Sequence, residues 1–179
     1  MKNNFVEIPI STRDGKFIAC YSEKGLAGLE FPKLNRRRRG DESQISPAPK
    51  ELVRDSSRRL LQIKKWHRVT TKALKAILAG NEPKFFPPLD LLGTVFQKSV
   101  WRAMRKISLG KTKSYGEIAS AIGNPKAVRA VGGACGANPV PVLVPCHRVL
   151  ASNNKLGGFG GGLNWKRSLL KREGIDCGV

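Results

Sequence analysis

Two short helical runs meeting at a tight turn constrain this chain most. Ser114 can cap a helix over Tyr115–Ile122, and Gly123-Asn124-Pro125 turns the chain into a second helix from Lys126 to about Gly136. Two short helices joined by a glycine-containing turn form the helix-turn-helix pattern. The second helix has an odd composition. Ala127, Val128, Ala130, Val131, Gly132, Gly133 and Ala134 are almost all small, and Arg129 is the one long side chain among them. Each glycine inside a helix costs roughly 1 kcal/mol, so close approach by another surface has to offset it. Two surfaces fit: a neighbouring helix packed in the core, or a nucleic-acid groove with Arg129 reaching into it.

Charge favours the groove. The formal net charge is +20, which implies a polyanionic partner, nucleic acid ahead of an anionic membrane; a merely soluble basic protein is the bland alternative. From Leu91 to Val179 the chain carries 14 Lys/Arg against 3 Asp/Glu, and Glu117 is the one acid between Leu91 and Arg172. Membrane association is not expected, because no run of about 18 apolar residues is present. The start, Met1-Lys2-Asn3-Asn4-Phe5, lacks the apolar stretch of a signal peptide, so a soluble intracellular protein is expected. That means cytoplasmic, or nuclear in a eukaryotic source.

Ahead of the helix-turn-helix the pattern changes. Phe5–Ile10, Lys16–Tyr21 and Leu26–Phe31 alternate in polarity and are separated by Arg13-Asp14-Gly15 and Lys24-Gly25, which predicts a small antiparallel sheet. Residues 33–50 hold four consecutive arginines, Arg36–Arg39, and Ser46-Pro47-Ala48-Pro49, and are expected to form an exposed loop. A solvated insertion, a nuclear address and an extra phosphate contact all fit that run. Leu52–Ile63 and Val69–Leu78 predict two helices, with Gly80 as a C-cap. Asn81–Pro88 reads as a linker, and Thr94 can cap a helix running to about Ile107.

Cysteines stand at 20, 135, 146 and 177 without a Cys-x-x-Cys pair, so neither a disulfide framework nor a zinc site is expected. Cys146 lies in Val144-Pro145-Cys146-His147-Arg148-Val149. A buried cysteine is ordinarily a small hydrophobe. Here Pro145 fixes the chain before the thiol, His147 can assist ionisation through a water, and Arg148 adds local positive potential, which together favour a nucleophilic thiolate.

Five ordered segments carry a resemblance. They are Ser114-Tyr115-Gly116-Glu117-Ile118-Ala119, Asn124 to Ala134, Asn138 to Val149, Gly158-Phe159-Gly160-Gly161-Gly162-Leu163 and Leu169 to Gly174. In order and spacing they resemble the O6-methylguanine-DNA methyltransferase family, closely over Leu91–Gly174 and in layout alone before that. Pattern and resemblance together give an α/β (α+β) fold. Residues 1–88 would form an N-terminal scaffold of a small antiparallel sheet with helix, and 89–179 a C-terminal winged helix-turn-helix domain carrying the cysteine.

The resemblance implies that Cys146 takes the alkyl group of a flipped-out O6-alkylguanine, and of O4-alkylthymine, irreversibly and once per molecule. It implies a proton relay through His147 and Glu173, Tyr115 as proton donor and phosphate neighbour, and Asn138 as a brace between the active-site turn and the recognition helix. Arg129 would fill the vacated stack, while Ala127, Ala130, Gly132 and Gly133 let the helix lie in the minor groove. Pro141, Val149, Phe159 and Gly160 would line the substrate pocket, the backbone of Cys146, Val149 and Gly160 reading the base edge. No metal or cofactor is implied, and the partner is double-stranded DNA bearing the lesion, met by a monomer without an obligate protein partner. Four features depart from the family: Gly160 where several members have serine, Cys135 where many have a larger apolar residue, Ser22 and Ala27 where some have zinc ligands, and the Arg36–Arg39 run. Three other readings remain at this point: a non-catalytic lesion binder, which Cys146 argues against, a winged-helix regulator, and a cysteine hydrolase.

Overall fold

The structure, a computed structural model, describes residues 5–32 and 56–176. The expected loop at 33–50, the expected helix start at Leu52 and Cys177 lie outside the described residues. Three strands come first: β1 (Val6–Thr12), β2 (Gly15–Tyr21) and β3 (Leu26–Glu30), antiparallel in that order. The β1–β2 register runs from Val6 opposite Tyr21 to Thr12 opposite Gly15. Gly15 takes the positive φ of 118° that closes this hairpin. Strand alternation buries Ile10, Phe17, Ala19, Tyr21, Leu26 and Leu29.

Helix α1 (Ser56–Leu78) packs on this sheet as one 23-residue element, where the sequence pattern predicts two helices. The reason lies in the junction. Residues 64–68 contain neither Gly nor Pro, and the inward stripe Ile63, Trp66, Thr70, Ala73, Leu74, Ile77 crosses it unbroken at helical spacing. Gly80, at φ 76°, ends the helix as expected. The linker is not loose: Leu26 N–H donates to Pro88 O and Asp90 N–H to Leu26 O, so Leu89 pairs with β3. Ser22 and Asp90 hold the same junction through a 2.6 Å hydrogen bond.

Beyond it come α2 (Val95–Met104), β4 (Lys113–Ser114), α3 (Tyr115–Ala121), α4 (Val128–Gly136), β5 (Val149–Leu150) and α5 (Leu163–Arg172). Thr94 with Gln97 and Ser114 with Glu117 form reciprocal capping boxes that start α2 and α3. The first helix stops at Met104 rather than Ile107, and Arg105–Ile107 close it as a turn. Strands β4 and β5 pair in parallel beside the helices. Trp101, fully buried, donates its indole N–H to Ala134 O at 2.8 Å and clamps α2 onto α4.

A single buried cluster runs from Phe17 and Leu29 in the sheet through Ile77 to Leu169 in α5. Arg172 fastens its edge, donating to both Asp14 carboxylate oxygens and to Leu78 O. The ion pair joins the β1–β2 turn to the ends of α1 and α5, and its hydrogen bonds, with the nearby positive charge, hold Asp14 below the usual carboxylate range. Among the described residues no helix is long and apolar enough to cross a membrane.

Candidate active site and nucleic-acid face

Cys146 opens a single 3₁₀ turn, Cys146–Arg148, immediately after a strained loop. Val142 sits at φ 73°, a region β-branched residues avoid, and Val144 N–H closes the loop on Val140 O. Asn138 holds this conformation. Its amide nitrogen donates to Val144 O at 2.8 Å and to Cys146 Sγ at 3.2 Å, while its Oδ1 accepts from Val140 N–H. Asn138 follows α4 by two residues, so α4 and the thiol are joined by one side chain.

The thiol itself is buried, and burial raises its pKa. The Asn138 hydrogen bond, the Lys166 charge and the backbone N–H groups of Cys146 and His147 pull the other way without reversing the direction. At neutral pH the resting group is therefore the thiol, and a base must remove its proton.

His147 is the adjacent imidazole. His147 is fully buried, with Nε2 2.8 Å from Glu173 Oε1. Burial lowers its pKa more than Glu173 raises it, so the ring is neutral near pH 7. Glu173 is an ionised acceptor, which puts the ring proton on Nε2 and leaves Nδ1 as a lone-pair acceptor. Among the described residues Nδ1 has no hydrogen-bond partner. Burial would raise Glu173, but hydrogen bonds and positive charge from His147 and Arg148 outweigh it and hold the carboxylate below its ordinary value.

Arg148 corrects an expectation. Its guanidinium donates to Glu173 through Nε at 2.9 Å and Nη2 at 3.0 Å, and to Ile107 O through Nη1 at 2.6 Å. Its charge is committed to Glu173 because a buried carboxylate needs a paired cation. The cation that bears on Cys146 is Lys166, which sequence reasoning missed. Its fully buried ammonium donates to Val149 O at 2.7 Å and to Leu156 O. A signal was available: Lys166, Leu169 and Leu170 stand at i, i+3, i+4, the buried face of α5. Val149, which accepts the Lys166 hydrogen bond on its carbonyl, is itself fully buried.

Tyr115 begins α3, half-buried. Burial, then the nearby Cys135 and Cys146 sulfurs, raise its pKa, so it remains a protonated donor. Its ring lies against Gly157, where a Cβ would stand 2.8 Å from the phenol oxygen. Phe159 packs edge-on against Phe31 at 5.6 Å, and Phe31 in turn meets Phe17 and Trp165. The loop through Gly160 is thus anchored on the N-terminal sheet, a contact invisible in the sequence. A Cβ on Gly161 would stand 2.6 Å from the Phe31 ring, whereas one on Gly160 would meet only Gly136 O at 3.9 Å. Pro141 is half-buried and bridges to Val144. Cys135 is buried 3.5 Å from Met104 Sδ, and burial pushes its thiol up to about 12.

Helix α4 buries Val131, Ala134 and Cys135 and turns Val128, Arg129, Ala130, Gly133 and Gly136 outward. A Cβ on Gly132, Gly133 or Gly136 would meet nothing within 4 Å. Packing against a neighbouring helix therefore does not explain these glycines, since the space beside them is open. Ala127, at the N-cap, offers no side-chain oxygen, so first-turn N–H groups stay available to an anion. Arg129 is exposed and has no ion pair among the described residues.

Fold and site define a helix-turn-helix protein whose buried cysteine, beside a buried His–Glu pair, is attached to its exposed small-residue helix. Comparison with known proteins is more specific. Residues 95–175 match the family model described as 6-O-methylguanine DNA methyltransferase, DNA binding domain. A methylated-DNA–protein-cysteine methyltransferase of Methanosarcina acetivorans is 41% identical over 160 residues, 89% of this chain and 92% of the relative. One from Mycobacterium tuberculosis is 54% identical over 100 residues, covering 56% of this chain and 61% of that protein. The crystal structure of Mycobacterium tuberculosis OGT in complex with DNA superposes with a TM-score of 0.68 at 36% identity, covering 92% of this chain and 90% of that one. The chain belongs to the methylated-DNA–protein-cysteine methyltransferase family.

Proposed function

We propose that this chain repairs DNA by moving an alkyl group from O6 of guanine, and from O4 of thymine, onto Cys146. The observation that carries the reading is the connected series Asn138–Cys146 and His147–Glu173, attached directly to α4 with its open, small-residue face. A base stacked in a duplex hides its O6, so the lesion is extruded into the site and Arg129 occupies the vacancy. Ala127, Ala130, Gly132 and Gly133 let α4 approach the minor groove closely.

The chemistry follows from the proton inventory. His147 Nδ1, free to accept, takes the Cys146 proton through a water while Glu173 stabilises the resulting imidazolium. The thiolate attacks the alkyl carbon, an S–C bond forms, and the C–O6 bond breaks. Tyr115, held protonated by burial and by the neighbouring sulfurs, gives its proton to the departing guanine, which leaves neutral. The Tyr115 phenolate is reprotonated from the imidazolium side, so the net change is thiol plus alkylguanine to thioether plus guanine. A thioether does not hydrolyse readily, so each molecule acts once. Pro141, Phe159, Gly160 and the Val149 carbonyl line the pocket.

Residues 1–88 serve as the scaffold that steadies Phe159, and 89–179 as the DNA-binding and transfer unit. The protein works as a monomer on lesion-bearing duplex DNA, without an obligate protein partner, in the cytoplasm or a nucleus. The test is a titration of O6-methylguanine duplex with protein. Lesions removed should equal protein molecules added. Repeated turnover, or binding with no lesion lost, overturns the reading.

A further inference from the structure

One surface feature plays no part in this chemistry. Helix α1 contains no acidic residue, and Lys64, Lys65, Arg68, Lys72 and Lys75 are all exposed. At the helical repeat they fall within an arc of about 100° and span about 16 Å along the axis. The opposite face, Ile63, Thr70, Ala73, Leu74 and Ile77, is buried. None of the five cations has a carboxylate partner among the described residues. Like charges three and four residues apart weaken a helix, so the stripe is not there for α1's own stability.

We propose that this face of α1 is a second, sequence-independent DNA surface, gripping duplex phosphates outside those that α4 approaches. It depends on the reading above only in naming duplex DNA as the partner. A row of cations about 16 Å long can meet several phosphates of a duplex, which carries one negative charge per about 1.7 Å of its axis. Lysine and arginine suit phosphate, and a surface without base-reading geometry contributes affinity without sequence preference. A lipid surface fits less well. Membrane-surface helices present a continuous apolar face beside the cations, whereas the apolar face of α1 is occupied by the sheet, and its exposed large apolar side chains, Leu60 and Leu61, stop short of the Lys64–Lys75 row. The arrangement gives the protein a second hold on undamaged DNA while α4 tests one position.

The test compares two variants of the full chain with equal charge loss. One is Lys65→Gln/Arg68→Gln/Lys72→Gln. The other is Lys16→Gln/Lys24→Gln/Lys84→Gln, three exposed cations elsewhere in the N-terminal half. Binding to a long undamaged duplex is measured by fluorescence anisotropy between about 50 and 200 mM salt, and each phosphate contact contributes about 0.9 to the slope of log K against log salt. The stripe variant should lose about 2 to 3 from that slope, and the control less than 1. Equal losses in the two variants, or an unchanged slope in the stripe variant, overturn the proposal. If melting shows the triple variant unfolded, the three single variants are read instead, each expected to lower the slope by about 0.9. Retention on phosphatidylserine vesicles that depends on the stripe, with no change in the DNA slope, also overturns it. Lesion removal is scored separately, so failure of alkyl transfer leaves the slope result readable.

Discussion

Replacing Glu173 by glutamine tests the buried network that makes His147 a base. Glu173 accepts from His147 Nε2 at 2.8 Å, Arg148 Nε at 2.9 Å, Arg148 Nη2 at 3.0 Å and, weakly, Gly110 N at 3.4 Å. Glutamine keeps the shape but brings one oxygen. If that oxygen faces His147 and Nη2, the new amide nitrogen points at Arg148 Nε and Gly110 N, both donors. The Arg148 guanidinium then loses its counter-charge while only 6% exposed. Breaking one side of a buried ion pair costs about 3–5 kcal/mol. Because one acceptor survives, the lower end applies, about 3 kcal/mol, which for a chain of this size lowers Tm by about 6–12 °C.

The pH dependence carries a definite sign. Glu173 is held below its ordinary value of 4.5, so its contribution is complete above that value and is lost as pH falls through the folded pKa. The Tm difference between parent and Glu173→Gln should therefore be constant at neutral pH and shrink below about pH 4.5. Transfer should slow by about 100-fold or more, because His147 loses the anion that stabilises its protonated form. Paired thermal melts at several pH values and a single-turnover transfer assay read these effects. A loss of less than about 1 kcal/mol at neutral pH, or a Tm gap that stays undiminished well below about pH 4.5, refutes the network as described.

Three further substitutions separate the parts of the site. Lys166→Met removes the charge that favours the Cys146 thiolate, so the pH–rate profile should move to higher pH, and two buried carbonyls lose a donor at a cost of about 2 kcal/mol or more; a profile that stays in place contradicts the assignment. Arg129→Ala should leave stability within about 0.5 kcal/mol of parent yet slow transfer from duplex DNA about tenfold or more, the cost of unstacking being left without compensation; an unchanged duplex rate contradicts its role. Phe31→Ala removes the ring that supports Phe159 and fills the space beside Gly161; melting should show a loss of about 2–3 kcal/mol, and transfer should fall although residue 31 belongs to the N-terminal half.

What the sequence disclosed was mostly local. Thr94 and Ser114 announce their helices because a cap and its partner lie three residues apart, and Gly15 and Gly80 mark turns because the backbone there demands positive φ. Cys146 with His147 was legible as chemistry, and α4 was legible as a surface because so many small residues in one helix need an outside reason. What stayed hidden depends on distance in the chain. Arg148 looked free to assist the thiol, since nothing near it in sequence reveals Glu173, 25 residues on. Lys166 reads as a solvent-facing helix lysine until α5's buried side is known. The merged α1 was missed because five polar or aromatic residues at 64–68 look like a break, although the inward stripe crosses them. Phe31 reads as the end of a strand, and only packing shows that it supports Phe159.

The claim at the centre is that Cys146 itself takes the alkyl group. The most direct measurement is the intact mass of the protein after incubation with O6-methylguanine duplex DNA, followed by peptide mapping. The account predicts one added methylene, about 14 Da, located on Cys146 and absent in Cys146→Ala. An unmodified mass with the lesion gone, or an adduct on Cys135 or Cys20 that persists in Cys146→Ala, would contradict it.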